Sequence, residues 1–539
     1  MANLLRLAPL ALCAAASLAF AQSNDPLAPT RDTKSASEID REWQQSVSKY
    51  DAARAKVLAE TDRVANDGPY RPDWVNIIHH YEQPQWYKDA KFGIFIHWGV
   101  YSVPAAENEW YPRNMYQSRE GAYKDFQTRF RNGDDTRGYK DFIPQFKAEN
   151  FNANTWAALF KDAGAQYIVP VAEHHDGFAM YNSELSDWTV VKMGPKRDTL
   201  SELATAVRAQ GLHFGLSYHR AEHDWFFDGG RTFRSDVNDP KYASLYGPAH
   251  ERIDGGDSDF MQQDFTYVSP EFARDWLARA SELVQKYHPE VFYFDWWAGQ
   301  PGYRGAMTEF AAFYYNYAAA KNFPAVIDIK IDDLPWKAGT RDFERGAQDH
   351  ILKDHWQTDT SISDRSWGYV EHDTYKSPEE IVHQLVDIVS KNGNLLLNIG
   401  PRADGTIPPE AETTLRAIGA WLKINGEAIY SSTPWVTYGE GPTQIKAGTF
   451  TDTSTKGYTP EDFRFTAKDT TVYAIGMTCP KDGKAVIHSL AHFPIGGVEL
   501  LGSSDKVQWT QGVDALTVTL PAGASCQYAY TLKLTPAQK

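Results

Sequence analysis

Short apolar segments alternate with longer amphipathic ones between residues 73 and 437, and this alternation limits the folds open to the chain. Apolar runs of that length match buried strands, and the amphipathic stretches match helices. A parallel sheet with helices on its outer face produces this order. The pattern predicts an α/β fold, an irregular (β/α)8-like barrel, with a doubly wound open sheet as the alternative. The predicted strands are 92–97, 167–172, 213–218, 291–295, 325–329 and 394–399.

The segments outside this region differ in character. Residues 1–21 combine Arg6, an apolar run and a small-residue cleavage site, which is typical of a secretory signal peptide. Residues 22–72 form a polar extension with a predicted helical stretch at 37–67. Residues 438–539 alternate polar and β-branched segments, which predicts an antiparallel β-sandwich. We therefore expect a secreted protein, located in a bacterial periplasm.

Only Cys479 and Cys526 remain after removal of the signal peptide. An exported location permits a disulfide between them, and two buried thiols are the alternative. The sequence leaves both open.

The charge balance narrows the class of partner. The formal net charge is −16, from 54 Lys and Arg against 70 Asp and Glu. Such a chain repels a nucleic-acid backbone or an anionic membrane surface, so we predict neither as a partner. Aromatic residues make up 14% of the chain, and their flat rings suit the C–H faces of sugars as well as core packing. No glycine loop for phosphates is present, and no cofactor is predicted.

Polar residues recur where the predicted strands end. His97 ends the first strand, His174 and His175 follow the second, Tyr218 ends the third and Asp295 the fourth. In a (β/α) barrel, the carboxyl ends of the strands build the active face. We therefore expect these side chains to meet in one site.

Asp295 and Glu344 are the candidate catalytic pair. Asp295 closes an apolar strand among aromatic residues, where an unpaired carboxylate is costly. Glycosidic bond cleavage needs two carboxyl groups, one as nucleophile or base and one as proton donor. Glu344 lies in a loop after the next strand, and the ordinary interpretation is a surface glutamate paired with Arg345. The competing donors are Glu371, Asp354 and Asp359.

The histidines also suggest a metal site, since imidazole and carboxylate are common ligands. Adjacent residues of a strand point to opposite faces, which disfavours chelation of one ion by His174 and His175. Neutral imidazoles can instead hydrogen-bond sugar hydroxyls. We predict no metal.

Several long ordered motifs carry a resemblance to a known family. They are residues 86–99 with Glu109-Trp110-Tyr111, then 173–178, then Trp367-Gly368-Tyr369 with 394–401. On these motifs the chain resembles the retaining α-L-fucosidases of glycoside hydrolase family 29. The resemblance implies an irregular barrel with a C-terminal β-sandwich, in agreement with the pattern.

The resemblance also implies roles for individual residues. Asp295 corresponds to the nucleophile and Glu344 to the acid/base. Tyr293 stands where the family often has Trp, and Lys330 where it often has Arg, so a bidentate contact is replaced by a point charge. We expect Trp296, Phe343 or Tyr218 to line the pocket for the sugar methyl group. The implied fucose-binding residues are His97, Glu109, Trp110, His174, His175 and Tyr218, to which we add Tyr293, Trp296 and Lys330.

The expected function is that of a retaining exo-glycosidase, an α-L-fucosidase acting on fucosylated glycans. Two alternatives use the same scaffold: a carbohydrate-binding protein without activity, and a hydrolase for a related sugar such as an α-galactoside. Both candidate carboxylates argue against the first, and the polarity of the pocket near the sugar C6 distinguishes the second.

Overall fold

The computed structural model describes residues 34–253, 266–330, 333–452 and 457–537. The predicted signal peptide, residues 1–21, lies outside these ranges. None of the helices within them combines the length and the apolar character needed to cross a membrane.

Eight parallel strands close into a barrel in chain order, with β1 pairing to β8. Closure confirms the predicted barrel and excludes the open sheet. The strands are β1 (Phe92–Ile96), β2 (Tyr167–Glu173), β3 (His213–Tyr218), β4 (Val291–Phe294), β5 (Val326–Lys330), β6 (Thr340–Asp342), β7 (Trp356–Ser361) and β8 (Gly393–Ile399).

Strands β6 and β7 were not predicted, because they lack an apolar pattern. All six residues of β7 are buried although most are polar. Gln357 of this strand accepts hydrogen bonds from the hydroxyls of Tyr87 and Tyr167, each at 2.7 Å, and donates to Asp342 at 2.9 Å. The barrel interior is therefore polar on this side, and the strands are held by side-chain hydrogen bonds that a hydropathy pattern does not reveal.

Amphipathic helices cover the outside of the barrel and alternate with most of its strands. Between β5 and β7 the described residues contain no helix, which makes the barrel irregular. The covering helices are α7 (Ala153–Asp162), α8 (Thr199–Ala209), α10 (Pro270–Tyr287), α11 (Arg304–Lys321), α12 (Pro378–Ser390) and α13 (Pro409–Asn425). Short helices lie in the loops: α5 (Tyr111–Asn114), α6 (Gly121–Phe126) and α9 (Ala243–Tyr246).

The N-terminal extension packs on the barrel. The predicted helical stretch consists of two helices, and the second of them contacts α10 and α11. Trp43 is buried with its ring centroid 5.2 Å from that of Phe272. The helices of this part are α1 (Ala36–Val47), α2 (Asp51–Ala65), α3 (Trp74–His80) and α4 (Gln85–Ala90).

Two antiparallel sheets form the C-terminal part, in orders β13-β16-β11-β10-β9 and β12-β15-β14. They confirm the predicted β-sandwich. Its first strand begins at Thr433, ahead of residue 438, and a disulfide joins Cys479 to Cys526. The strands are β9 (Thr433–Glu440), β10 (Phe463–Lys468), β11 (Thr471–Gly476), β12 (Lys484–Ile487), β13 (Ile495–Leu500), β14 (Gln508–Gln511), β15 (Leu516–Thr519) and β16 (Tyr530–Pro536).

Polar contacts attach the sandwich to the last barrel helices. Arg464 of β10 donates to Asp387 of α12 at 2.6 Å, and Lys391 pairs with the same carboxylate at 2.7 Å. The indole of Trp421 in α13 donates to the carbonyl of Ala529. These groups are buried, so the two parts share one interface.

Candidate active site

A cavity of about 740 Å³ opens at the carboxyl ends of the barrel strands. This size suits a small ligand, and the position is where barrel enzymes place their sites. Most of the predicted site residues line it. The lining includes Phe95, His97, Glu109, Trp110, His174, His175, His219, Glu222, Arg252, Asp295, Trp296, Lys330, Glu344, Asp359, Trp367 and Phe450.

Asp295 follows directly on β4 and is surrounded by donors. Its Oδ2 lies 2.9 Å from Nδ1 of His219 and 3.4 Å from Nε2 of His175. Its Oδ1 lies 3.9 Å from Nζ of Lys330. Burial by itself raises the pKa of Asp295, but His219, His175 and Lys330 outweigh it and hold the pKa well below its usual range. Asp295 is therefore ionised.

His219 is neutral with a defined tautomer. Its Nδ1–H donates to Asp295, and its Nε2 accepts from the hydroxyl of Ser217 at 2.5 Å. Burial lowers the pKa of His219, although Asp295 opposes this shift. Ser217 and His219 are two residues apart at the end of β3, so their side chains point in the same direction, which here is into the barrel.

The surroundings of His175 favour its imidazolium form. Its Nδ1 faces the carbonyl of His219 at 3.0 Å and its Nε2 faces the Asp295 carboxylate at 3.4 Å, so each ring nitrogen lies beside an acceptor. The carboxyl group of Glu222 lies 3.5 Å from Nδ1. Burial lowers the pKa of His175, but Glu222 and Asp295 raise it to about 9. Burial raises the pKa of Glu222 itself to about 8, with His175 opposing.

Glu344 lies in the loop after β6 and is buried rather than on the surface. The indole Nε1 of Trp296 donates to its Oε2, and Nζ of Lys330 lies 3.2 Å from the same oxygen. Burial raises the pKa of Glu344 to about 7, Lys330 opposes this shift, and Asp359 and Asp295 reinforce it. Glu344 thus carries its proton more readily than an ordinary glutamate.

Lys330 connects the two candidate carboxylates. Its ammonium group also contacts Asp342 at 3.3 Å and Asp359 at 3.0 Å, and the side chain is buried. Asp295 Oδ1 lies 3.9 Å and Glu344 Oε2 lies 3.2 Å from this one nitrogen. The distance between these two carboxylate oxygens therefore cannot exceed the sum of the two values. This limit admits the ~5 to 5.5 Å separation of retaining glycosidases.

The other side of the cavity is lined by fixed polar groups. Asn398 of β8 accepts from the Nδ1 of His97 at 2.8 Å, which leaves Nε2 for a ligand. Glu109 is held through one oxygen by Ser366 Oγ at 3.1 Å and the backbone N–H of Trp367 at 2.8 Å. Neutral imidazoles, a carboxylate and indoles together suit a ligand with several hydroxyl groups.

Two predicted binding residues lie elsewhere. Tyr218 points outward, where its hydroxyl donates to the carbonyl of Trp276 in α10 at 2.9 Å. Because strand residues alternate, the neighbours of Tyr218 face the cavity and Tyr218 cannot. Tyr293 lies inside the barrel beneath the cavity and donates to Asp359 at 2.8 Å. Phe343, another predicted lining residue, faces a different cavity.

The motif at residues 173–178 places some side chains in the cavity and others outside it. His174 and His175 both line the cavity, contrary to the expectation of opposite faces, because β2 ends at Glu173 and the backbone turns there. Glu173 pairs with Arg220 and Arg279 away from the cavity, at 2.6 and 3.1 Å.

Of the other candidate proton donors, two lie outside the active-site cavity and one lies in it. Asp354 lines the cavity that also holds Phe343, and Glu371 is exposed. Only Asp359 shares the site, where it pairs with Lys330. Among the candidates, Glu344 is therefore the one placed with Asp295 beside Trp296.

His97, His174 and His219 bring one ring nitrogen each within 4.8 Å of the others, close enough for a metal ion. Both nitrogens of His219 are already bonded to Ser217 and Asp295, however, and Nδ1 of His97 is bonded to Asn398. This set suits hydrogen bonding to hydroxyl groups better than metal coordination.

Comparisons with known proteins agree with this geometry. The family model for α-L-fucosidases matches residues 57–427, and the model for the α-L-fucosidase C-terminal domain matches residues 456–535. The chain belongs to the α-L-fucosidase family. Membership confirms the resemblance seen in the motifs and the prediction of a glycoside hydrolase.

Individual relatives of this family cover nearly the whole chain. The tissue α-L-fucosidase of Rattus norvegicus is 34% identical over 480 residues, covering 86% of this chain and 92% of its own. The plasma α-L-fucosidase of Homo sapiens is 33% identical over 485 residues, with coverage of 86% and 92%. The crystal structure of the Thermotoga maritima α-fucosidase in complex with fucose matches with a TM-score of 0.67 and 29% identity, covering 86% of this chain and 100% of its own.

For this family member, sequence reasoning missed several residues that line the cavity. His219 directly follows the third predicted strand and was not among the predicted catalytic or binding residues. Glu222, Arg252 and Phe450 carried no local signal, since each lies in a loop that only the fold brings to the cavity. Trp367 belongs to a motif that marked the family, but its place opposite Glu109 depends on the barrel closing.

Proposed function

We propose that the chain hydrolyses α-L-fucosides with retention of configuration, with Asp295 as nucleophile and Glu344 as acid/base. The observation that carries this proposal is the placement of two carboxyl groups beside one ammonium group, with Nζ of Lys330 lying 3.9 Å from Asp295 and 3.2 Å from Glu344. Donors keep Asp295 ionised, whereas burial raises the pKa of Glu344 to about 7. A nucleophile and a proton donor need these two states.

In the first step, Asp295 Oδ1 bonds to the anomeric carbon while the glycosidic bond breaks. Oδ2 is occupied by His219 and His175, which leaves Oδ1 for attack. Glu344 gives its proton to the departing oxygen. In the second step, Glu344 takes a proton from water, the water oxygen bonds to the anomeric carbon, and the bond to Asp295 breaks.

The imidazoles support this sequence in different ways. His219 and the His175 imidazolium stabilise the Asp295 carboxylate when it is released. Burial keeps the pKa of His97 and of His174 well below the usual value, so both stay neutral and can bind sugar hydroxyls.

An apolar part of the cavity supports a 6-deoxy sugar. Phe95 lines the cavity with its ring centroid 4.5 Å from that of His97 and 6.2 Å from that of Trp367. Trp296 lines it as well. A methyl group is stabilised against such rings, whereas the hydroxymethyl group of a galactoside would lose hydrogen bonds there. The fucose complex of the Thermotoga maritima relative is consistent with this preference.

The test compares a chromogenic α-L-fucoside with the matching α-galactoside on wild type, Asp295→Ala and Glu344→Ala. We expect wild type to prefer the fucoside and both variants to lose activity, by ~10⁴-fold or more for Asp295→Ala. Azide should restore Asp295→Ala to give the β-fucosyl azide and Glu344→Ala to give the α-fucosyl azide, as read by NMR. Full activity in Glu344→Ala would contradict the assigned acid, and preference for the galactoside would contradict the substrate.

We further propose that the chain is exported to the periplasm after cleavage behind Ala21. The predicted signal lies outside the described residues, but the Cys479–Cys526 disulfide supports an oxidising compartment. N-terminal sequencing of the protein from a periplasmic extract should start at Gln22. An unprocessed cytosolic protein would overturn the proposal.

A further inference from the structure

Phe450 is an exposed aromatic side chain at the mouth of the active-site cavity. It is 60% exposed and lines the cavity together with Thr449, Trp296 and Glu344. Single exposed apolar side chains are common on protein surfaces, so it is the position of Phe450 beside Glu344 in the cavity lining that marks this residue. The rings deeper in the cavity, such as Phe95, are buried, so Phe450 differs from them in facing outward.

The loop that carries Phe450 comes from the C-terminal part and is bonded to the loop of the proposed acid. The backbone N–H of Phe450 donates to the carbonyl of Glu344 at 2.8 Å, and the N–H groups of Thr451 and Asp452 donate to Arg345 at 2.8 and 2.9 Å. Ala347 and Gly448 exchange two further hydrogen bonds. The ring of Phe450 is thus tied to the position of Glu344.

A buried charge cluster fixes the same loop from below. The Asp452 carboxylate accepts from Lys376 at 3.0 Å and from Thr360 Oγ1 at 2.7 Å, and it lies 3.5 Å from Arg345. The guanidinium of Arg345 lies 5.0 Å from the Trp367 ring centroid. The loop that carries Phe450 is therefore held by a cluster whose Arg345 also contacts Trp367 in the cavity wall.

The backbone at this point is unusual. Phe450 has φ 53° and Arg345 has φ 45°, in the left-handed region that side chains with a Cβ seldom adopt. A bulky residue there is costly, and such strain concentrates at sites that bind ligands. The strained conformation presents the ring to the cavity at the price of local stability.

From these observations we propose that Phe450 forms a binding site for the leaving group, as a platform for the ring of the sugar residue that fucose is attached to. This inference rests on the proposed function. Glu344 protonates the oxygen that joins fucose to the leaving group, so a ring bonded to the Glu344 loop and directed outward lies on the leaving-group side. The apolar C–H face of a pyranose ring suits an exposed aromatic platform.

The test measures kcat/KM for two substrates whose leaving groups both need a proton from Glu344: methyl α-L-fucoside, whose leaving group has no ring, and a disaccharide in which α-L-fucose is attached to a second sugar. The ratio of the disaccharide value to the methyl fucoside value should fall by about five- to tenfold in Phe450→Ala. Phe450→Tyr, which keeps the ring, should restore the ratio. Trp336→Ala is the matched control, since Trp336 is 50% exposed and lies at another cavity.

Each outcome decides between the ideas. An unchanged ratio in Phe450→Ala overturns the platform. If kcat/KM falls by the same factor on both substrates, the loop only holds Glu344 in place. If wild type cleaves neither substrate, the proposed function itself fails. A lowered ratio in Trp336→Ala would show that the assay responds to any lost aromatic ring, and would likewise overturn the inference.

Discussion

The ammonium group of Lys330 lies 3.2 Å from Oε2 of Glu344, so a buried cation sits beside the group proposed to carry a proton. On its own this cation would keep Glu344 ionised. Burial and the carboxylates of Asp359 and Asp295 act in the opposite direction and prevail. The acidity of Glu344 is therefore a balance that a change at Lys330 should disturb in a defined direction.

For Lys330→Met we expect the alkaline limb of the kcat/KM profile to move to higher pH. In wild type, activity should fall as pH rises through about 7, where Glu344 loses its proton. Lys330 lowers this pKa, so its removal raises it and extends activity to higher pH. The variant should also lose ~3 to 5 kcal/mol of stability, because Asp342 and Asp359 lose their buried partner.

Lys391→Met serves as the control for this experiment. Lys391 is a buried lysine paired with Asp387 at 2.7 Å, outside the active-site cavity. The Lys391→Met variant should be less stable than wild type, while its kcat/KM should still fall as pH rises through about 7. A limb that stays in place in Lys330→Met would contradict the proposed balance.

Ser217→Ala should lower kcat about tenfold or more with little change in KM. Without the Ser217 hydroxyl, the imidazole of His219 can carry its proton on Nε2 and turn a lone pair toward Asp295. Steady-state kinetics separate the two constants, and Ser217→Thr, which keeps a hydroxyl, should recover much of kcat. Equal effects in both variants would point to lost packing instead of a lost hydrogen bond.

Glu222→Gln should make His175 lose its proton at lower pH. Burial lowers the pKa of His175, and Glu222 with Asp295 raises it to about 9, so loss of the Glu222 charge brings it down. Selective isotope labelling of histidine and NMR titration measure this shift directly. Glu371→Gln, at an exposed carboxylate, should leave the titration unchanged. A His175 titration unaffected by Glu222→Gln would refute the pairing.

Tyr218→Phe should leave kcat/KM at the wild-type value. The hydroxyl of Tyr218 donates to Trp276 outside the cavity, so its removal leaves one buried carbonyl without this partner. We expect a loss of ~1 kcal/mol in the free energy of unfolding, measured by denaturant titration. A large rise in KM for the fucoside would mean that Tyr218 contacts the sugar after all.

Replacement of both Cys479 and Cys526 by Ser should destabilise the C-terminal sheets. The disulfide connects residues 47 apart, and closing a loop of this length contributes ~2 to 4 kcal/mol in a typical protein. Calorimetry of the variant should show a lower unfolding temperature than wild type. The same temperature for both proteins would contradict a stabilising role for this disulfide.

The barrel was predictable because most of its strands are buried on both faces and leave continuous apolar runs, as β1 and β4 do. Strands β6 and β7 were not predicted because their inward residues, such as Asp342 and Gln357, are satisfied by hydrogen bonds inside the barrel, to each other and to tyrosine hydroxyls. Their polarity in the sequence is that of a loop. Only the closed sheet supplies the partners that make it a strand.

The sequence by itself determined the class of fold, the family and the strand ends that carry Asp295, His97, His174 and His175, because apolar periodicity and ordered motifs are local. Tertiary structure decided which side chains face the site. It turned Tyr218 outward and His219 inward, and it brought Glu222 and Phe450 to the cavity from separate loops. Orientation and long-range proximity depend on how the chain closes on itself, and no local pattern encodes them.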